Sequence, residues 1–133
     1  MALNSPATFH SRGTRVFHGK AAGTITRCRF VTRTPASDST HLGQLIACPA
    51  GATPVGVSPA DFVVGDDADY HKQGICNVET DGSTLTAATV GAIVKAGTGG
   101  IAVLDHATTR TLLGAGIQLT FDATTNIAEV ELF

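Results

Sequence analysis

The sequence predicts an all-β protein, a small β-sandwich or partly open β-barrel of short strands with an extended N-terminal arm. Three observations favour this class. Short apolar runs alternate with polar residues at period two, Gly and Pro clusters separate these runs, and no stretch keeps a helical apolar period. With 133 residues, the chain has room for one domain. We expect this β domain to span residues 23–133 and the arm to span residues 1–22.

The arm is predicted from a lack of pattern. Residues 1–22 mix Ser, Pro, Thr, Gly and basic residues, with two isolated aromatic side chains, Phe9 and Phe17. Such a segment either frays or becomes ordered against a partner. The alternative is that Phe9 and Phe17 fold back onto their own domain.

The first half of the β domain is predicted as short strands between turns. In the segment 24–33, Arg27, Arg29 and Val31 alternate with Cys28 and Thr32, as a strand requires. A polar loop follows at 34–41. Further strands are predicted at 44–48 and 54–58, and residues 62–64 lead into an acidic turn at 65–67. The acidic residues at 66, 67 and 69 are interpreted as a solvated turn, with a low-affinity calcium site or a docking point for the basic arm as the alternatives.

The second half repeats this rhythm. Strands are predicted at 73–80, 90–96, 101–105, 117–122 and 128–132. Asp81-Gly82 and the Gly-rich run 97–100 are predicted as reversals. Helical structure is expected only as single turns, at 58–61, 84–89 and 106–113.

Residue patterns for catalysis or metal binding are missing from the sequence. The five histidines form no H-x-H or H-x-x-x-H pair, and the three cysteines form no C-x-x-C pair. No G-x-S-x-G elbow or phosphate-binding loop is present. We therefore expect no enzyme activity, no cofactor and no bound metal. The cysteines are odd in number and widely spaced, and we interpret them as small apolar side chains that fill the core of a protein made in a reducing cytoplasm.

Charge is divided unevenly along the chain. The first 34 residues hold six basic side chains and no acidic one, whereas the remaining 99 hold three basic and eleven acidic side chains. This asymmetry favours an electrostatically steered contact between a basic segment and an acidic surface; the alternative is a basic segment that is merely solvated. The predicted partner-binding residues of the arm are Phe9, Arg12, Arg15, Phe17 and Lys20. Arg27 and Arg29 are predicted to share a strand face that meets a partner, or to lie on a solvated edge.

The middle of the chain resembles a known family. Pro54-Val-Gly-Val-Ser58 is followed by Ala60, Gly65, Gly74-Ile-Cys-Asn-Val78, Val90-Gly-Ala-Ile-Val94 and Gly100-Ile-Ala-Val103. This order is similar to that of the capsid cement or head-decoration proteins of tailed phages, over roughly residues 43–105.

The resemblance implies a non-enzymatic protein on the outer surface of a virion. It would bind the major capsid protein, self-associate (a homotrimer is favoured) and stabilise the shell after assembly in the host cytoplasm. No direct contact with nucleic acid or membrane is expected. An extended arm would suit strand addition to a neighbour. Two alternatives remain open: another virion part, such as a tail, fibre or shell component, and a cellular β-sandwich binding module.

Overall fold

The computed structural model describes residues 8–106 and 111–133, which form two antiparallel sheets that do not close into a barrel. This confirms the all-β prediction and is consistent with a small sandwich. The strands are β1 (Ser11–Arg12), β2 (Arg15–Lys20), β3 (Phe30–Arg33), β4 (Leu45–Ala47), β5 (Gly56–Val57), β6 (Asp67–Lys72), β7 (Gly74–Glu79), β8 (Ile93–Ala96), β9 (Ala102–His106), β10 (Gly116–Gln118) and β11 (Ile127–Leu132). Two single 3-10 turns lie at Ala87–Thr89 and Thr98–Gly100.

The first sheet has the strand order β1-β7-β11-β10-β8-β9, and the second has the order β2-β6-β5-β3-β4. In the first sheet β7 and β11 pair along their whole length, from Ile127 opposite Glu79 to Leu132 opposite Gly74. In both strands every second residue is apolar and lies in the main core, Cys76 and Val78 in β7 and Ala128 and Val130 in β11, which is why the sequence pattern identified both strands.

The main core lies between the two sheets. The first sheet contributes Cys76, Val78 and Val130, and the second contributes Phe30 and Val57, all fully buried. Burying an apolar side chain of this size stabilises the fold by about 1.5–3 kcal/mol relative to leaving it exposed. These residues therefore hold the sheets face to face.

A second core covers the other face of the second sheet. Val31, Leu45 and Tyr70 point into it, and Ile25 and Phe62 from the connecting segments pack over them. The second sheet is therefore buried on both faces, since neighbouring residues of β3 enter different cores. Ala21, just after β2, bridges back to Leu45 of β4, so the sheet curls around this core.

Residues 8–22 differ from the arm expected from the sequence. β1 pairs with β7 and β2 pairs with β6 in one unbroken register, from Ser11 opposite Cys76 to Lys20 opposite Asp67. We call this pair of segments, 11–20 and 67–76, the N-terminal ribbon. It bends from the first sheet into the second at Gly13 and Gly74, both at a φ of 66°. A Cβ on Gly74 would lie 2.5 Å from the Gly13 carbonyl oxygen, so the two bends can approach each other this closely only with glycine at position 74.

Two further strand expectations are corrected. The strand predicted from residue 24 begins only at Phe30, because Cys28 has a φ of 62° that interrupts the extended backbone. The predicted acidic turn is largely strand β6, with Asp67 and Asp69 in it. Its Ala68 is buried in the second core, and this burial outweighs the low strand preference of Asp.

Among the expected helical turns, only the segment 84–89 contains one, the 3-10 turn at Ala87–Thr89. The segment 58–61 forms none, and 106–113 falls partly outside the described residues. No helix in 8–106 or 111–133 has the length and apolar character needed to cross a bilayer.

Candidate partner-binding surface

Strand β2 places most of the predicted arm residues on one edge of the second sheet. Five of its six residues are exposed, including two apolar side chains, Val16 at 47% and Phe17 at 37%. Arg15 lies opposite Lys72 of β6. The strand therefore presents positive charge and apolar surface together, and we call this surface the β2 edge.

Phe17 is held by a row of stacked groups. Its ring stacks on Tyr70 with a centroid separation of 5.6 Å, and Lys72 Nζ lies 5.7 Å from its centroid. Arg33 covers the Tyr70 ring at 5.3 Å and donates a hydrogen bond of 3.0 Å to the tyrosine hydroxyl. Alternating cations and rings attract one another. Phe17 is thus fixed in position while part of its surface stays open to solvent.

The opposite face of the β2 edge carries ionisable pairs. His18 Nδ1 lies 2.6 Å from Asp69 Oδ1, with both side chains largely exposed, and Lys20 lies opposite Asp67. His71 lies further in, 2.8 Å from the Thr14 hydroxyl. Burial lowers the pKa of His71, and the negative charge of Asp69 opposes this shift. The acidic residues of β6 therefore offset part of the positive charge of β2.

Phe9 and Arg12 are engaged within the chain. The Phe9 ring packs on the main core and lies 4.7 Å from the His71 ring. Arg12 forms an exposed ion pair of 3.3 Å with Glu129. The described part of the predicted arm is thus folded onto its own domain, which is the alternative considered for Phe9.

Asn77 fixes the chain at the start of this segment. It is 6% exposed; its Oδ1 accepts from the His10 N–H at 2.6 Å, and its Nδ2 donates to the Thr8 carbonyl at 2.8 Å. These bonds satisfy a buried amide that would otherwise be costly. A cleft of about 360 Å³ lies beside them, lined by Thr120, Asp122 and their neighbours.

Arg27 and Arg29 do not form a shared strand face. The Arg29 guanidinium donates to Glu79 Oε1 at 3.0 Å, with both side chains only 22% exposed. The Arg27 backbone N–H donates to Asp61. Because this segment turns at Cys28, Arg29 points at its own first sheet, where the ion pair ties the two sheets together.

Sequence reasoning missed Val16, Tyr70, Lys72 and Asn77 as parts of this surface. The alternation of Ala68 and Tyr70 with polar residues was a usable signal for β6. No comparable signal identifies Asn77, whose partners lie almost 70 residues away. Within 8–106 and 111–133, no three His, Cys, Asp or Glu side chains are arranged to hold a metal ion.

These features define a class: an all-β, two-sheet protein whose exposed edge strand is cationic. Its fold is similar to that in the crystal structure of the head fiber gp8.5 N base in bacteriophage phi29, with a TM-score of 0.67 and 16% sequence identity. The similarity covers 90% of this chain and 94% of that chain. No protein-family model matches the sequence, and no curated protein matches it. At this identity the similarity establishes the fold.

Proposed function

We propose that this chain is a structural protein of a phage virion, bound to the outer surface of the head, where it cements neighbouring capsid subunits. The observation that carries the proposal is the fold similarity to a phage head fiber base, which extends over nearly the whole of both chains. The order of Gly- and Val-rich segments between residues 43 and 105 supports the same assignment independently of the structure.

The proposed mechanism is binding without bond-making. Each copy would cross a joint between capsid subunits and bury roughly 800 Å² per partner, an ordinary area for a specific contact. The major capsid protein is the proposed partner, and a homotrimer would add avidity, because several contacts must then break together. The two packed cores and the Arg29–Glu79 ion pair supply the rigidity that such a clamp requires.

The test compares particles with and without this protein. Cryo-electron microscopy should show density above the shell that fits the two-sheet fold, and particles lacking the protein should release their DNA at a lower temperature. Adding the purified protein back should restore both properties. Unchanged surface density and an unchanged release temperature after deletion would refute the proposal.

A second candidate function is that of the base of a projecting fibre. The fold similarity to the head fiber base of bacteriophage phi29 favours this candidate. In that case the density would stand as separate projections away from the capsomer joints. Deletion would then remove the projections and leave the release temperature unchanged. Binding on a glycan array without any virion density would instead favour a cellular binding module.

A further inference from the structure

The outer edges of β4 and β9 are covered by the chain itself. At β9, the Asp81 N–H donates to the Ala102 carbonyl at 3.2 Å, and the Leu104 N–H donates to the Thr84 hydroxyl at 3.0 Å. At β4, the Ala22 N–H donates to the Leu45 carbonyl at 2.8 Å. Uncovered edges are templates for pairing with another chain, and folded proteins usually protect them.

The β2 edge is different. Its strand has β6 as its sheet neighbour on one side. On the other side, the residues just after β2 reach β4, where Ala21 bridges to Leu45, but no strand of the described residues pairs along Arg15–Lys20 itself. Its length of six residues and the exposure of Val16 and Phe17 make it a longer and more apolar edge than β1. It is therefore the sheet edge of this fold best suited to accept another strand.

The hydrogen-bond alternation identifies the outward backbone groups. The Ala21 N–H donates to the Asp66 carbonyl at 2.9 Å, in register with the β2–β6 pairing. In an antiparallel ladder, alternate residues bond to the same neighbour. The N–H and C=O groups of Phe17 and Gly19 therefore face β6, and those of Val16 and His18 face outward.

The side chains of β2 restrict which strand can pair there. Arg15, His18 and Lys20 supply basic groups, and β2 contains no acidic residue. Two copies paired antiparallel through their outward groups, with His18 opposite His18 and Val16 opposite Lys20, would bring two basic strands together with no acidic residue to offset their charge, which is destabilising. An acidic strand would instead gain favourable cross-strand pairs.

We propose that the β2 edge accepts an extended, acidic segment of a partner protein by strand addition, with the outward groups of Val16 and His18 forming the main-chain bonds. The inference rests on the proposed function for the identity of that partner, a virion protein, and adds the chemistry of the contact. It also reverses the role predicted for this segment, which receives a strand in place of reaching out as an arm.

The test is a titration of the full chain, followed by nuclear magnetic resonance, with an eight-residue peptide in which glutamate alternates with valine or threonine. A matched peptide carries lysine in place of every glutamate. The acidic peptide should slow amide exchange at Val16 and His18 and should bind at least tenfold more tightly than the lysine peptide. Failure to bind, or binding without protection of these amides, would overturn the inference.

Two variants sharpen the result. Val16→Pro removes one outward N–H donor, and the fold should tolerate it because proline is accepted where an edge N–H faces away from the sheet. This variant should bind the acidic peptide at least tenfold more weakly. The control Val16→Thr keeps the N–H and should bind the peptide within about twofold of the wild type. The double variant Arg15→Glu with Lys20→Glu does not depend on proline and should reverse the preference towards the lysine peptide. Retained preference for the acidic peptide in this variant would overturn the inference.

The outcome separates this inference from the proposed function. Peptide binding as described, together with particles unaffected by deletion, would refute the virion role and leave the strand-addition site intact. Head density that contacts the capsid through another face, with no peptide binding, would refute strand addition alone. Binding of a single-stranded oligonucleotide at the β2 edge in place of the peptide would replace it with a nucleic-acid site.

Discussion

Replacing Asn77 by alanine should loosen the start of the N-terminal ribbon. Its buried amide makes two hydrogen bonds to the backbone, at 2.6 Å to His10 and 2.8 Å to Thr8. Each such bond contributes about 1 kcal/mol net, so losing both should lower the free energy of unfolding by about 2 kcal/mol. For a domain of this size, that corresponds to a fall in Tm of roughly 6–10 °C.

Urea denaturation followed by circular dichroism measures the global effect, and amide exchange measures the local one. In Asn77→Ala, the amides of β1 should exchange at least tenfold faster, while those of β8, on the far side of the first sheet, should change less. The control Glu131→Ala alters an exposed residue of the same sheet and should shift stability by less than about 0.5 kcal/mol. Wild-type stability and unchanged protection of β1 in Asn77→Ala would refute the anchoring role.

Three other predictions address packing, pH and thiol chemistry. Gly56→Ala should lower the free energy of unfolding in urea by about 1–3 kcal/mol, because the added Cβ would lie 2.4 Å from the His71 carbonyl oxygen. The control Gly23→Ala should be nearly neutral, because the atom nearest to its added Cβ is 3.9 Å away. Equal effects of the two substitutions would contradict this steric reasoning. Burial lowers the pKa of His71 from 6.5, so its contribution to stability is complete above pH 6.5 and is lost as the pH falls through 6.5 towards the lowered value. His71→Gln should therefore reduce the loss of unfolding free energy between about pH 7.5 and pH 5.5, and an identical profile would contradict that assignment. Burial raises the pKa of Cys48 to about 11 and that of Cys76 to about 12, so neither thiol ionises appreciably at about pH 8. A thiol reagent at that pH should therefore label them only after denaturation. Rapid labelling of the folded chain would show that these thiols are accessible and would contradict the prediction.

The sequence predicted the parts of the fold in which one face of a strand is buried. The alternation around Cys76 and Val78, and again around Ala128 and Val130, is a local signal, and all four residues lie in the main core. Strand β3 was only partly predicted. Its two apolar neighbours, Phe30 and Val31, enter different cores, and the turn at Cys28 has no signal in residue type.

The sequence predicted which basic and aromatic residues belong to the candidate surface, but not that they lie on a β-strand. Arg15, Phe17 and Lys20 are exposed or partly exposed on β2, where a partner could reach them. Their strand was not predicted because an edge strand that is exposed on most of its surface needs no alternation of apolar and polar residues. The strand also depends on pairing with residues 67–72, which lie far along the chain. Arg29 failed as a surface prediction for the same reason, since its ion-pair partner Glu79 is 50 residues away.

The N-terminal ribbon has a consequence for how the chain reaches its native state. On a ribosome, residues 11–20 are made before the strands that they join, which follow 47 to 65 residues later, and β11, which completes the first sheet, is made later still. Contacts of such high sequence separation place a domain among the slower folders, on a timescale of milliseconds to seconds. Residues 11–20 therefore remain without their strand partners until residues 67–76 have been synthesised.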